Sequence, residues 1–154
     1  MSHDLKTIFG EHAPVVNSDE FRSVDRALGA LLHRMDEDAP PELALAAAVL
    51  SRARGRGDAC LPLGPKDFQP QLRRDHGDPL PLPAREDWLK ILNDSPLVGK
   101  SNDFQPLILD DSLRLYLHRL HHFETGLAET LRARATEKPA ALDAGDFKSN
   151  LPTF

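Results

Sequence analysis

Leu43-Ala44-Leu45-Ala46-Ala47-Ala48-Val49-Leu50 is the longest unbroken apolar run in the chain, and its reading decides the fold. Alanine and leucine are strong helix formers, and proline at the first helical position, here supplied by Pro40-Pro41, presets the backbone angle a helix needs. Ser51, Arg52, Ala53 and Arg54 continue the run to Gly55, a natural C-terminal stop. A helix that is apolar all round must be covered all round. The segment is therefore expected to be the central helix of its domain, or to be partly covered by another subunit. At eight residues it falls far short of the about 20 needed to cross a bilayer.

Working outward on the N-terminal side, Ser18 is a natural N-cap, with Asp19 and Glu20 placed to favour the helix dipole. Phe21, Val24, Leu28, Leu31, Leu32 and Met35 follow at helical spacing, predicting a helix from Ser18 to Met35 with those residues on one core-facing stripe. Residues 1–17 have no sustained periodicity and are expected to be a loose lead. On the other side, Ala59-Cys60-Leu61-Pro62-Leu63 reads as a short extended piece, with Pro62 pointing to a sheet edge. Residues 64–83 are rich in proline and read as an irregular loop.

Arg85 to Asn93 predicts a short helix presenting Trp88, Leu89, Ile91 and Leu92. Pro106-Leu107-Ile108-Leu109 and Leu113-Arg114-Leu115-Tyr116-Leu117, joined by Asp110-Asp111-Ser112, read as a hairpin. A last helix, about Arg119 to Arg134, carries Leu120, Phe123, Leu127 and Leu131 as its expected apolar stripe. The fold class is mainly α with a small antiparallel β-hairpin or sheet (α+β), in one domain over residues 18–136. Residues 137–154 are expected to be a linker to a domain that follows, in a chain that continues past Phe154.

Nineteen Lys and Arg against 24 Asp and Glu leave a net charge of −5, so no global field draws the 154-residue chain to a phosphate backbone. Any nucleic-acid contact must come from a local patch. Cys60 is the single cysteine, which excludes an internal disulfide and fits a cytoplasmic protein. The first nine residues lack the apolar core of a secretory signal, and no membrane role is expected.

No chemistry-bearing motif is complete. Gly99-Lys100-Ser101 ends like a phosphate-binding loop, but Asp94 stands where the first glycine belongs, and a helix precedes the triplet where a strand is required. His118 and His122 have the spacing of two metal ligands on one helix face, without a third ligand in pattern, and no metal is expected. Arg52, Arg54 and Arg56 form a small basic cluster at the end of the Leu43–Leu50 helix, available to its dipole, to a phosphate or to a partner. Trp88, the lone tryptophan, suits either a core or an interface. Asp110-Asp111 suits a turn. No catalytic residue and no cofactor are expected in this chain.

Taken in order, Ala46-Ala47-Ala48-Val49-Leu50-Ser51, a glycine-containing break, Cys60-Leu61-Pro62-Leu63, then Pro106-Leu107-Ile108-Leu109 and Arg114-Leu115-Tyr116-Leu117-His118-Arg119, the segments resemble the N-terminal domain of RecD, the alpha subunit of exodeoxyribonuclease V (RecBCD). The resemblance covers about residues 21–135. It implies a family whose full-length members are ATP-dependent 5′–3′ DNA helicase subunits of bacterial homologous recombination and double-strand-break repair. It implies docking of this domain on a gamma (RecC-type) subunit, in a complex that also holds a beta (RecB-type) subunit and reaches DNA as a whole. ATP and Mg are implied in helicase domains that this sequence does not include. The expected role is therefore subunit docking without catalysis. The alternative is a local DNA-binding module using Arg52, Arg54 and Arg56, with Arg73 and Arg74 beside them.

Overall fold

The computed structural model describes residues 4–65 and 81–136. The elements run α1 (Leu5–Phe9), a 3-10 turn (Gly10–His12), α2 (Ala13–Val16), α3 (Ser23–Met35), α4 (Pro41–Gly55), β1 (Leu61–Pro62), α5 (Arg85–Asp94), β2 (Val98–Gly99), β3 (Leu107–Leu109), β4 (Arg114–Leu117) and α6 (His118–Thr136). The architecture is mainly helical with one small sheet, as expected. The expected loop at 64–83 falls largely, and the linker at 137–154 wholly, outside the described residues, as do Arg73 and Arg74.

α4 is the central helix. Leu43 through Leu50 are all buried, and the cover comes from α3, from the N-terminal segment and from α5. Both elements flanking α4 correct the sequence reading. Residues 5–16 are not loose: Asp4 caps α1 by accepting from the Lys6 amide at 3.3 Å, and Gly10 takes φ +53° to turn the chain into the 3-10 turn. Ile8, Phe9, Val15 and Val16 all enter the core. Three helical pieces of five, three and four residues are each too short to display a 3.6-residue period.

α3 begins later than expected and buries only part of the expected stripe, with Leu28 and Leu32 on the core and Phe21 buried just before the helix. Ser18 closes α2 by donating to the Val15 carbonyl at 2.6 Å, and the N-cap is Arg22, whose amide donates to the Asp25 carboxylate at 2.8 Å. Asp25, Gly29 and Leu32 form the buried face, while Val24, Leu31 and Met35 are 57%, 42% and 51% exposed. The physical reason is close helix packing. A Cβ on Gly29 would lie 2.6 Å from the Phe9 ring and 2.7 Å from the Ala44 carbonyl oxygen, so α3 and α4 touch nearly backbone to backbone. Gly29→Ala is expected to lower stability by about 2 kcal/mol through overpacking, overriding the about 1 kcal/mol that alanine gains over glycine in a helix. The urea midpoint gives the sign directly.

The sheet has the order β1-β4-β3-β2. β3 and β4 form the expected antiparallel hairpin, with Leu109 opposite Leu115, and β1 lies at the edge that Pro62 requires. Leu113 belongs to the turn, not the strand, at φ +58°. β2, a two-residue strand parallel to β3, was not foreseen.

The chain divides into two compact units, 1–121 and 122–154. Of the second, residues 122–136 are the C-terminal turns of α6. No residue of α6 is buried; of its expected apolar stripe Leu120 is half-buried, and Phe123, Leu127 and Leu131 are 58%, 60% and 57% exposed. No helix among the described residues is long and apolar enough to cross a membrane.

Candidate functional site

The arginine cluster does not form one surface. Residues two apart on a helix do not share a face, and Arg52 accordingly turns inward while Arg54 turns out. Arg52 is 4% exposed and donates to the Glu20 carbonyl at 3.1 Å and to the Glu20 carboxylate at 2.8 Å, with its guanidinium 5.7 Å from the Phe21 ring centroid. Arg56 reaches the same carboxylate at 3.5 Å, and Arg54 donates to the Asp58 carbonyl at 3.4 Å. Glu20 thus gathers two of the three cations, and Arg52 anchors the α2–α3 connection to α4. Glu20 carried no signal in sequence beyond its place near a helix start.

Trp88 is wholly buried, and its indole Nε1 donates to the Glu42 carbonyl at 2.9 Å, tying α5 to the first turn of α4. It belongs to the core and offers no surface to a partner. Gly99-Lys100-Ser101 leaves β2 and closes into a turn in which the Asp103 carboxylate accepts from the Lys100 amide at 2.7 Å. The Lys100 ammonium donates to the Asn93 side chain at 2.7 Å. A Cβ on Gly99 would come within 2.5 Å of Asp103, which explains this glycine by packing alone. Asp110 is a turn residue: one carboxylate oxygen accepts from the Ser112 and Arg114 amides, and the other pairs with the Arg114 guanidinium at 2.7 Å.

The histidines of α6 serve the hairpin. His118 stands edge-on to Phe104 at 4.7 Å, and His121 edge-on to Tyr116 at 5.2 Å. Among the described residues, the three ligating side chains close enough to share a cation lie elsewhere. They are Glu11, His12 and Glu42, whose ligand atoms are all within 4.8 Å of one another. The sequence reading missed them, since Glu11 and His12 fall in the supposed loose lead.

Two apolar stripes face outward. On α3, Val24, half-buried Leu28, Leu31 and Met35 follow a four-three-four spacing, which is one continuous helix face. On α6, Phe123, Leu127 and Leu131 repeat every four residues. A family model for the N-terminal domain of the RecBCD enzyme subunit RecD matches residues 17–116, a span that contains the whole of the α3 stripe. No curated protein matches the chain.

Proposed function

The chain belongs to the RecD N-terminal domain family, and on that premise we propose that it is the docking module of a RecBCD-related subunit, seating itself on the gamma (RecC-type) subunit and catalysing nothing by itself. The observation that carries this reading is the set of apolar side chains that α3 leaves exposed. A helix whose buried face is Asp25, Gly29 and Leu32 leaves three of its large apolar side chains, Val24, Leu31 and Met35, outside its own core. Apolar side chains aligned on one helix face are the anchors by which an amphipathic helix enters a partner's groove. The stripe lies inside the family match, as a docking device of that family should.

In the proposed assembly the ATP-driven unwinding of DNA belongs to helicase domains beyond these residues, and the setting is double-strand-break repair in the bacterial cytoplasm. DNA is reached through the complex. The DNA-binding alternative has less support, because Arg52 is buried against Glu20 and Arg56 shares that carboxylate.

The test is co-elution of the purified chain with the gamma subunit of the same organism on size exclusion, quantified by calorimetry. The double variant Leu31→Glu/Met35→Glu changes two exposed positions and should leave the thermal unfolding of the chain nearly unchanged. It should weaken association by about thirtyfold or more, the loss expected of a disrupted anchor. A folded wild-type chain that does not bind, or a double variant that binds as tightly as the wild type, rules the α3 docking face out.

A further inference from the structure

We propose that Glu11, His12 and Glu42 form a binding site for a divalent first-row metal ion, zinc foremost, that staples the N-terminal segment to the start of α4. His12 lies at the end of the 3-10 turn with its side chain 9% exposed, and its Nε2 is buried without a hydrogen-bond partner among the described residues. That nitrogen is aimed at two carboxylates, 3.6 Å from a Glu42 oxygen and 3.9 Å from a Glu11 oxygen. Both separations exceed hydrogen-bond range, so the carboxylates leave the nitrogen unsatisfied. A buried polar atom in that condition destabilises the fold until something supplies its partner.

A metal ion fits the spacing and the charge. Zinc bonded to nitrogen and oxygen at about 2.0–2.1 Å in tetrahedral geometry holds its ligand atoms about 3.3 Å apart, against 3.6 and 3.9 Å from His12 Nε2 to the two carboxylates and at most 4.8 Å between any two of the three groups, a gap that rotation of the exposed Glu11 side chain closes. Two carboxylates and one neutral imidazole carry a charge of −2, which a divalent cation neutralises. An imidazole with carboxylates is a donor set suited to zinc.

The surroundings leave room for a fourth ligand. A cavity of about 570 Å³ opens over the three side chains, lined also by Val15, Leu82, Asp87 and Ile91. Water can complete the shell from that side. Glu42 sits in the first turn of α4, and its carbonyl receives the Trp88 indole. A bound ion would therefore join the turn at His12, α4 and, through Glu42, α5. Glu11 and His12 precede the family match, which begins at residue 17, and Glu42 lies inside it.

The test is calorimetric titration of the chelator-treated chain with zinc chloride, accompanied by its melting temperature. One ion per chain is expected, with a rise in melting temperature of several degrees once free zinc is well above the dissociation constant. His12→Gln and Glu42→Gln should each weaken binding at least tenfold. Glu11→Gln, at an exposed side chain whose change cannot unfold the domain, should weaken it measurably even if the His12 variant folds poorly. The doubly substituted His118→Gln/His122→Gln chain should bind as the wild type does. Absence of saturable binding up to millimolar zinc, binding that survives both Glu42→Gln and Glu11→Gln, or binding lost in the His118→Gln/His122→Gln chain overturns the proposal.

Discussion

Trp88→Ala is expected to destabilise the chain by about 4 kcal/mol, a large share of the about 5–15 kcal/mol by which domains of this size are stable. The side chain is wholly buried in the core beside α4, so its truncation leaves a cavity there. The change also strips the Glu42 carbonyl of its indole donor. Trp88→Phe separates the two contributions: it keeps most of the volume and loses the hydrogen bond, at an expected cost of about 1–2 kcal/mol. Trp88 is the sole tryptophan, so far-UV circular dichroism in urea must replace indole fluorescence as the readout. A shifted midpoint at constant slope is the expected form. Trp88→Phe should still dock on the gamma subunit as the wild type does, whereas a tryptophan that anchored the interface would lose docking and keep its stability.

The sequence showed clearly what is repeated or enforced locally. Leu43–Leu50 announces a buried helix because no polar residue interrupts it, and the hairpin is legible because Asp110 and Ser112 supply turn chemistry between two apolar strands. Pro62 placed β1 at an edge because proline has no amide to donate. Features that rest on contacts distant in sequence were hidden. The inward face of α3 is chosen by the room that Gly29 gives to Phe9 and Ala44, which no helical period encodes, so Leu28 and Leu32 of the expected stripe face the core while Val24, Leu31 and Met35 do not. β2 is two residues long and exists only through its pairing with β3.

The candidate site was less legible than the fold, for the same reason. Arg52, Arg54 and Arg56 look like a patch on paper, but the 100° step between helical residues turns Arg54 away from Arg52, and Glu20 claims both Arg52 and Arg56 from more than thirty positions away. Glu11 and His12 acquire meaning only when Glu42 is brought beside them. The α3 stripe was visible as apolar spacing, and its exposure was not. Periodicity states that residues share a face without saying which way that face looks.

Asp25→Ala should be nearly as damaging as the loss of Trp88, at about 3 kcal/mol, although the residue is an aspartate in a surface-lying helix. Its carboxylate is wholly buried and accepts from the Arg22 amide at 2.8 Å, from the Arg22 guanidinium at 2.7 and 3.1 Å, and from the Ser51 hydroxyl at 2.6 Å. Truncation removes the acceptor of the N-cap amide of Arg22, leaves the Ser51 hydroxyl without its Asp25 acceptor and frees the Arg22 side chain that also donates to the Ser51 carbonyl at 2.9 Å. Arg22 is half-exposed and can return to water, which holds the cost below the extreme for a fully buried ion pair. Burial by itself pushes the Asp25 carboxyl up, but the hydrogen bonds from Arg22 and Ser51 and the Arg22 charge together outweigh it and hold the group below its ordinary value. A depressed carboxylate stabilises the fold above its unfolded value, about 3.9, and that contribution is lost as pH falls through the lower folded-state value. Asp25→Asn, which cannot titrate, should therefore be less stable than wild type at neutral pH and should lose less on acidification below about pH 4. Urea midpoints across that range decide it: parallel acid limbs in the two proteins would mean that folding does not lower the Asp25 carboxyl from its unfolded value.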